Sequence, residues 1–118
     1  MDGQVRRIAA ARVVVANGLL SRLRGLFAYG VDEGVLVVLD PCNDIHTYGM
    51  SRPIDVAFAS ADGVVVEVHR GVPPFRRLRC PKAAMTCERY AAPDACWFEV
   101  ADRIGDIVCR IDGGNEGR

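Results

Sequence analysis

Apolar residues recur along the chain in short runs without helical spacing, and this pattern predicts strands. The runs are residues 5–16 with an interruption near Ala10, then 35–39, 56–60, 64–69, 84–90 and 107–111. Asp62-Gly63 separates two of these runs, and both residues tolerate the positive φ of a tight turn. The sequence therefore predicts a β-hairpin over residues 56–69.

Two other segments have the spacing of amphipathic helices. In residues 17–30 the leucines and a phenylalanine recur every three or four positions, which gives the segment one apolar face. Residues 93–103 begin with a proline, as helices often do, and continue with an apolar stripe. The residues of this stripe are Trp97, Val100, Ala101 and Ile104.

Many short strands with two short helices predict an α+β, β-dominant fold, a small β barrel or sandwich. The 118 residues suit a single domain, 1–118, with an ordered core over about 5–111 and a polar tail over 112–118. Residues 45–50 are expected to add a strand to the sheet of the hairpin and to share its core. The shared core would contain Ile45, Val56, Phe58 and Val66.

Charge and hydropathy argue against two classes of partner. The fifteen basic and fifteen acidic residues cancel, so no net field attracts nucleic acid or an anionic membrane. A cluster of basic residues within 76–82 could bind an anion, although such clusters are more often simply solvated. The longest aliphatic run, 35–39, is far shorter than the ~20 residues that cross a bilayer. Because the N-terminus also lacks the apolar region of a signal peptide, we expect a cytoplasmic protein without a nucleic-acid or membrane partner.

The cysteines contain no Cys-x-x-Cys spacing, and they are Cys42, Cys80, Cys87, Cys96 and Cys109. Their odd number and the size of the expected core predict free thiols. The alternative is a disulfide among Cys80, Cys87 and Cys96 in an oxidising compartment. Together with the two histidines, the cysteines do not match a zinc finger or ribbon, so we expect neither a metal site nor a cofactor.

Residues 41–58 hold most of the chemically useful side chains, which allows an enzymatic interpretation. In a Cys-His-Asp hydrolase or transferase, Cys42 would be the nucleophile and His46 the base. Asp44 or Asp55 would then orient the imidazole. Because Cys42 and His46 lie roughly 13 Å apart in an extended chain, the chain would have to bend between them. In the plainer interpretation, Cys42 packs as a small apolar residue, His46 makes a local hydrogen bond and Asp55 caps a turn.

The same segment also allows a binding site. If residues 45–50 are extended, the even-numbered side chains share one face, and the chain turns at Pro53 directly afterwards. A mixture of apolar, cationic, anionic and titratable groups suits a small polar ligand or a peptide better than a long polyanion. The predicted ligand-binding residues are His46, Tyr48, Met50, Arg52 and Asp55.

The order of these residues resembles a known prokaryotic family, domain of unknown function 192. The resemblance is carried by Ile45, His46, Thr47 and Met50, then Pro53-Ile54-Asp55 and the apolar residues 56–58. Weaker matches are Arg22, Gly25 and Leu26 upstream, and residues 84–88 and Gly105-Asp106 downstream. Cys87 replaces a leucine of the family, and residues 89–94 replace its Pro-Ala-Gly turn. The resemblance implies a small β-rich domain with short helices, and it implies no established activity.

These patterns together favour a small-ligand-binding or peptide-binding module. The Cys/His-dependent hydrolase or transferase is the alternative interpretation. A third possibility is an accessory protein that acts through its surface, without a pocket. A monomer and a homodimer are both compatible with the sequence.

Overall fold

The computed structural model describes residues 7–10, 12–16 and 34–110. Strands dominate these residues, and one short helix, α1, covers Ile104–Ile107. The strands are β1 Ile8–Ala10, β2 Arg12–Ala16, β3 Val35–Leu39, β4 Asp44–His46, β5 Ile54–Ala59, β6 Val65–Val72, β7 Arg77–Arg79, β8 Met85–Tyr90 and β9 Val108–Arg110. The prediction of a β-dominant domain is therefore confirmed for the described part of the chain.

Five strands form the main sheet, in the order β2-β3-β8-β5-β6. The pair β2 and β3 is parallel, and the other neighbours are antiparallel. Successive residues of β3 are all buried, because consecutive side chains enter the cores on opposite faces of the sheet. This burial on both faces explains why β3 is a continuous aliphatic run instead of an alternating pattern.

A core lies on each face of the sheet. The first core contains Val35, Val37, Leu39, Ile45, Ile54, Val56, Phe58, Val72, Cys80 and Ala83, and Val66 packs against it. The second core contains Ile8, Ala10, Leu36, Val38, Ala57, Val65, Cys87, Trp97 and Phe98. The predicted grouping of Ile45, Val56, Phe58 and Val66 around one core is thus confirmed.

Two small sheets cover these cores. The antiparallel pair β4 and β7 lies over the first core through Ile45 and Leu78. The parallel pair β1 and β9 lies over the second core, where α1 also packs through Ile104 and Ile107. The described strands form open sheets, so the closed barrel that was one of the predicted forms is not observed in this part of the chain.

Two predicted elements differ from the structure. The strand expected over 45–50 ends at His46. It pairs with β7 in a separate two-stranded sheet and does not join the sheet of the hairpin. The helix expected over 93–103 is absent, and that segment consists of turns and irregular backbone. The helix expected over 17–30 lies outside the described residues.

The predicted hairpin is present as β5 and β6. Its turn is wider than a two-residue turn: the Ser60 amide donates to the Val64 carbonyl, and the Gly63 amide donates to the Ser60 carbonyl. Gly63 alone has a positive φ, 82°. These features define a three-residue loop that ends in a left-handed residue, a common hairpin connection.

No helix in the described ranges is long and apolar enough to cross a membrane.

Candidate functional site

The candidate site is centred on Asp55, the second residue of β5. A bulge lies opposite it, because Ile54 pairs with Val72 whereas Val56 pairs with His69, which leaves two residues of β6 facing one of β5. Gly71 occupies the bulge with a φ of 62°, a conformation that glycine adopts without strain. The bulge turns the Gly71 amide toward Asp55 Oδ1, which accepts its hydrogen bond at 3.0 Å.

Asp55 is only 1% exposed and is held by further donors on its other oxygen. Arg89 lies directly across from it on β8, and its Nε donates to Oδ2 at 3.0 Å. The Ala92 amide donates to the same oxygen at 3.3 Å, and Arg70 Nη2 does so at 3.4 Å. The carboxylate therefore links β5, β6 and the segment that follows β8.

Arg89 is buried beside this carboxylate, with its guanidinium carbon 4.5 Å from the centre of the Trp97 ring. The Trp97 indole N–H donates in turn to the Val56 carbonyl at 3.1 Å. A buried guanidinium needs a counter-charge and hydrogen-bond acceptors, and Asp55 provides both. Arg89 and Trp97 thus form a buried, hydrogen-bonded layer beneath the more exposed groups.

Arg70 is the exposed member of the group, with 39% of its side chain accessible. Besides Asp55, its Nη2 donates to the carbonyls of Ala92 at 2.8 Å and Ala95 at 3.1 Å. A guanidinium has five N–H donors, and all three of these contacts use one nitrogen. Within the described residues, the Nε and Nη1 donors of Arg70 have no hydrogen-bond partner.

A cavity of about 560 Å³ opens beside these groups, and its walls combine cations with small apolar surfaces. It is lined by Arg52, Pro53, Asp55, Arg70, Gly71, Ala91 and Pro93. We call this cavity the arginine cleft. The guanidinium carbon of Arg52 lies 4.3 Å from the centre of the Tyr90 ring, a cation–π contact that orients this second cation.

The hydrogen bonds determine the protonation of Asp55. Burial favours the neutral acid, but the donors of Gly71, Ala92, Arg89 and Arg70 outweigh it, so the pKa of Asp55 lies below its ordinary value. A carboxylate that is ionised and already held by four donors is poorly suited to act as a general base. Two guanidiniums, those of Arg52 and Arg70, line the arginine cleft together with this carboxylate, and Arg89 already serves as the buried counter-charge of Asp55.

The other predicted ligand residues lie elsewhere. His46 and Tyr48 are exposed on the outer side of the β4 segment, with ring centroids 5.1 Å apart. Met50 is partly buried against the first core. Of the five predicted ligand-binding residues, the structure brings Arg52 and Asp55 together in the arginine cleft.

The predicted catalytic residues make separate contacts. The Cys42 thiol donates to the Asp44 carbonyl at 3.5 Å, beside a second cavity of about 290 Å³. Asp44 accepts two hydrogen bonds from Arg77, at 3.0 and 2.5 Å, and these bonds hold the pKa of Asp44 below its ordinary value. No hydrogen bond between described residues joins Cys42 to His46, and Asp55 belongs to the arginine cleft. The assignment of these four residues to catalysis stays a prediction.

The thiols and possible metal ligands are dispersed. Cys42, Cys80, Cys87 and Cys96 are free, and Cys80 and Cys87 are buried. Burial raises the pKa of Cys87 to about 12. In the part of the chain that the structure describes, no three His, Cys, Asp or Glu side chains are grouped to hold a metal ion.

Sequence reasoning missed Arg70 and Arg89, and it named Arg52 only as a ligand-binding residue beside Asp55. A signal for a buried partner was present, since an aspartate inside the apolar run of residues 54–58 requires a buried counter-charge. The sequence does not show which arginine supplies it, because the choice depends on the register of β8 and on the bulge in β6.

Comparison with known proteins identifies the family. The model of domain of unknown function 192, described as an uncharacterised ACR, matches residues 2–101. The chain belongs to this family. No curated protein matches the sequence.

Two solved structures share the fold of this member of the domain of unknown function 192 family. One is a protein of unknown function from Novosphingobium aromaticivorans, with 15% identity and a TM-score of 0.57, over 68% of this chain and 63% of the other. The matched part is thus less than two thirds of that protein. The second, from Sinorhizobium meliloti 1021, is described as a candidate transcription regulator; it has 18% identity and a TM-score of 0.57, over 67% of each chain. At these identities the similarity establishes the fold alone.

Proposed function

We propose that this protein is a small-ligand-binding module whose arginine cleft takes a small organic anion, a carboxylate or phosphate with a short apolar body. The observation that carries the proposal is the orientation of the Arg70 guanidinium. Its guanidinium is fixed by Asp55 and two backbone carbonyls, and its Nε and Nη1 donors face no described protein acceptor. A guanidinium that is oriented in advance binds carboxylate and phosphate oxygens in a forked geometry at a low entropic cost.

The size and lining of the cleft support the same class of ligand. A volume of about 560 Å³ lies within the range of small-molecule sites. Pro53, Ala91 and Pro93 provide apolar contact for the ligand body, and Arg52 supplies a second cation. The two arginines lie on a scaffold stabilised by the buried Asp55–Arg89 pair, so the site is formed before the ligand arrives.

A panel of small carboxylates and phosphates tests the proposal by thermal shift, followed by calorimetric titration of every compound that stabilises the protein. We expect Arg70→Ala and Arg52→Ala each to weaken binding by about 10- to 150-fold, the loss of one charge-assisted hydrogen bond. Arg70→Lys should not restore full affinity, because an ammonium lacks the fork.

Two variants serve as matched controls. Arg103→Ala removes an exposed cation that does not line the cleft, and His46→Ala removes the predicted ligand residue on the outer face. Both should bind as the wild type does. The proposal is wrong if no anion of the panel binds, or if affinity for a bound anion is unaffected by both Arg70→Ala and Arg52→Ala.

The Cys/His-dependent hydrolase or transferase stays a prediction without a supporting contact. Its base would have to reach Cys42, whose thiol is directed at the Asp44 carbonyl. The accessory-protein interpretation does not account for a cleft with an oriented, partly exposed guanidinium.

A further inference from the structure

The outer face of β4 and β7 carries a regular array of side chains that the arginine cleft does not use. In the antiparallel pair, Asp44 lies opposite Arg79 and His46 lies opposite Arg77. Opposed residues share a face, and the alternating Ile45 and Leu78 face the first core instead. The remaining four side chains therefore point outward.

Beyond the strand ends, the rings of Tyr48 and Phe75 lie 6.2 Å apart at their centroids. The two segments that carry these rings are joined by a hydrogen bond from the Thr47 amide to the Arg76 carbonyl, at 2.8 Å. We call the outward residues Asp44, His46, Tyr48, Phe75, Arg77 and Arg79 the outer array.

The aromatic end of the outer array is exposed, and its rings contact one another. Tyr48 is 51% exposed and Phe75 71% exposed, while His46 stacks on Tyr48 with an angle of 28° between the rings. Phe75 has a φ of 66°, an uncommon conformation for a bulky residue. Such an arrangement keeps apolar rings in water at the surface, where they can accept a stacking partner.

Cations lie along the same pair of strands. Arg77 and Arg79 lie on the outward face, and Arg76 and Lys82 are also exposed on the same stretch of chain. Asp44 supplies the opposing charge on this face and is neutralised by its two hydrogen bonds with Arg77. The net charge of the array and its neighbours is thus positive.

We infer that the outer array binds single-stranded nucleic acid, with bases stacked on Tyr48 and Phe75 and phosphates contacting Arg77 and Arg79. Exposed aromatic side chains on a sheet, beside a basic row, are the combination that holds single strands without sequence preference. The array is about 13 Å long, enough for a few bases. An acidic peptide would use the cations but has no need of the exposed ring stack.

This inference departs from the expectation drawn from the balanced composition. Net charge averages over the whole chain, whereas the register of β4 and β7 places the arginines of residues 76–79 beside His46 and Tyr48, which are about 30 positions away in sequence. Recognition of a nucleic acid depends on the local charge and on the exposed rings, not on the net charge of the whole chain.

Fluorescence polarisation of labelled dT12 and rU12 at 50 mM salt tests the inference. We expect saturable binding that weakens as salt rises, and about fivefold or greater weakening for Tyr48→Ala and for Phe75→Ala. Tyr48→Phe should retain binding because the stacking surface remains. Arg79→Ala should reduce the slope of log affinity against log salt by about 0.7, the loss of one phosphate contact.

Controls separate this surface from general effects. Val100→Ala removes an apolar residue that is 62% exposed, and Arg103→Ala removes an exposed cation outside the outer array; both should bind as the wild type does. Absence of saturable binding would overturn the inference. So would equal affinity for a duplex, equal competition by poly-glutamate, or loss of affinity in the controls as large as in Tyr48→Ala and Phe75→Ala.

Discussion

Asp55 is the residue on which most of the described site depends. Its carboxylate allows Arg89 to be buried and holds Arg70 in place, and its backbone lies in a central strand. An asparagine of the same shape would keep an acceptor oxygen but would remove the negative charge. The charge, more than the shape, is therefore what this position requires.

We expect Asp55→Asn to lower the free energy of unfolding by about 3–5 kcal/mol, because it leaves the Arg89 guanidinium buried without a counter-ion. Urea denaturation followed by circular dichroism measures the change. Asp44→Asn is the matched control, since it removes a carboxylate that pairs with the exposed Arg77, and it should change the stability little. Equal effects of the two substitutions would contradict the role assigned to Asp55.

Acid should weaken the fold through the same group. The pKa of Asp55 in the folded state lies below its ordinary value of about 3.9, so its contribution is complete above that pH and is lost as the pH falls through the lower, folded-state value. The free energy of unfolding of the wild type should therefore decrease below about pH 4. The decrease should be smaller in Asp55→Asn, and an identical pH slope in both proteins would be evidence against the assignment.

The thiols should differ in reactivity according to their exposure. Cys96 is exposed, whereas Cys80 and Cys87 are buried and burial raises the pKa of both. We expect iodoacetamide at pH 8 to modify Cys96 in the native protein, and Cys80 and Cys87 only after denaturation. Peptide mass spectrometry over time measures the order. Selective early modification of Cys42 would instead revive the hydrolase or transferase interpretation.

At the scale of single residues, the sequence indicated that Asp55 and Arg52 belong to a candidate site. It could not indicate which residues are the partners of Asp55. Arg70 and Arg89 are 15 and 34 residues away from it. Their approach depends on strand register and on a bulge, which are set by tertiary packing and leave no local pattern.

At the scale of elements, the strands could be predicted because their apolar runs are visible in the local sequence. The structure of the segment after β8 could not be predicted in this way. Its stripe fitted a helix, yet Trp97 and Phe98 are both buried in the second core, which neighbouring residues of a surface helix rarely are. Ala101 has a φ of 81°, and the Asp102 carboxylate accepts the Glu99 amide. Packing of two large rings and local side-chain bonding overrode the helical spacing.

The early end of β4 also has a local cause. Gly49 has a φ of 86° and the Met50 amide donates to the Thr47 carbonyl, so the chain turns directly after Thr47. The Thr47 hydroxyl is fully buried, donates to the Pro73 carbonyl at 2.7 Å and accepts from the Arg76 amide at 2.9 Å. One side chain thus connects the end of β4 to the loop before β7.

We expect Thr47→Val, which keeps the shape but removes both hydrogen bonds, to lower the free energy of unfolding by about 2 kcal/mol. Hydrogen exchange of the Arg76 amide should also become faster, because it loses its acceptor. Thr47→Ser retains the hydroxyl and should keep the slow exchange. If the two variants exchange alike at Arg76, the hydroxyl is not what holds this loop.

For the described part of the molecule, the arrangement is one central sheet with a core on each face and a small covering sheet over each core. The sequence predicted many strands and a shared core, but not this layering. A barrel and an open, doubly covered sheet have the same short apolar runs, and they differ in which strands pair. The parallel pairing of β1 with β9 joins segments about 100 residues apart, so nothing in either segment alone indicates it.

That pairing gives a test of the layered arrangement. Ending the chain after Ile107 removes β9 and uncovers Ile8, which is buried in the second core beside Val108. We expect the free energy of unfolding to fall by at least about 2 kcal/mol, the cost of exposing one large aliphatic side chain. Ending the chain after Arg110 keeps β9 and serves as the control. Because both cores share the central sheet, the loss should appear as one cooperative transition at lower urea by tryptophan fluorescence and circular dichroism alike. A shortened chain as stable as the control would show that β9 does not close the second core.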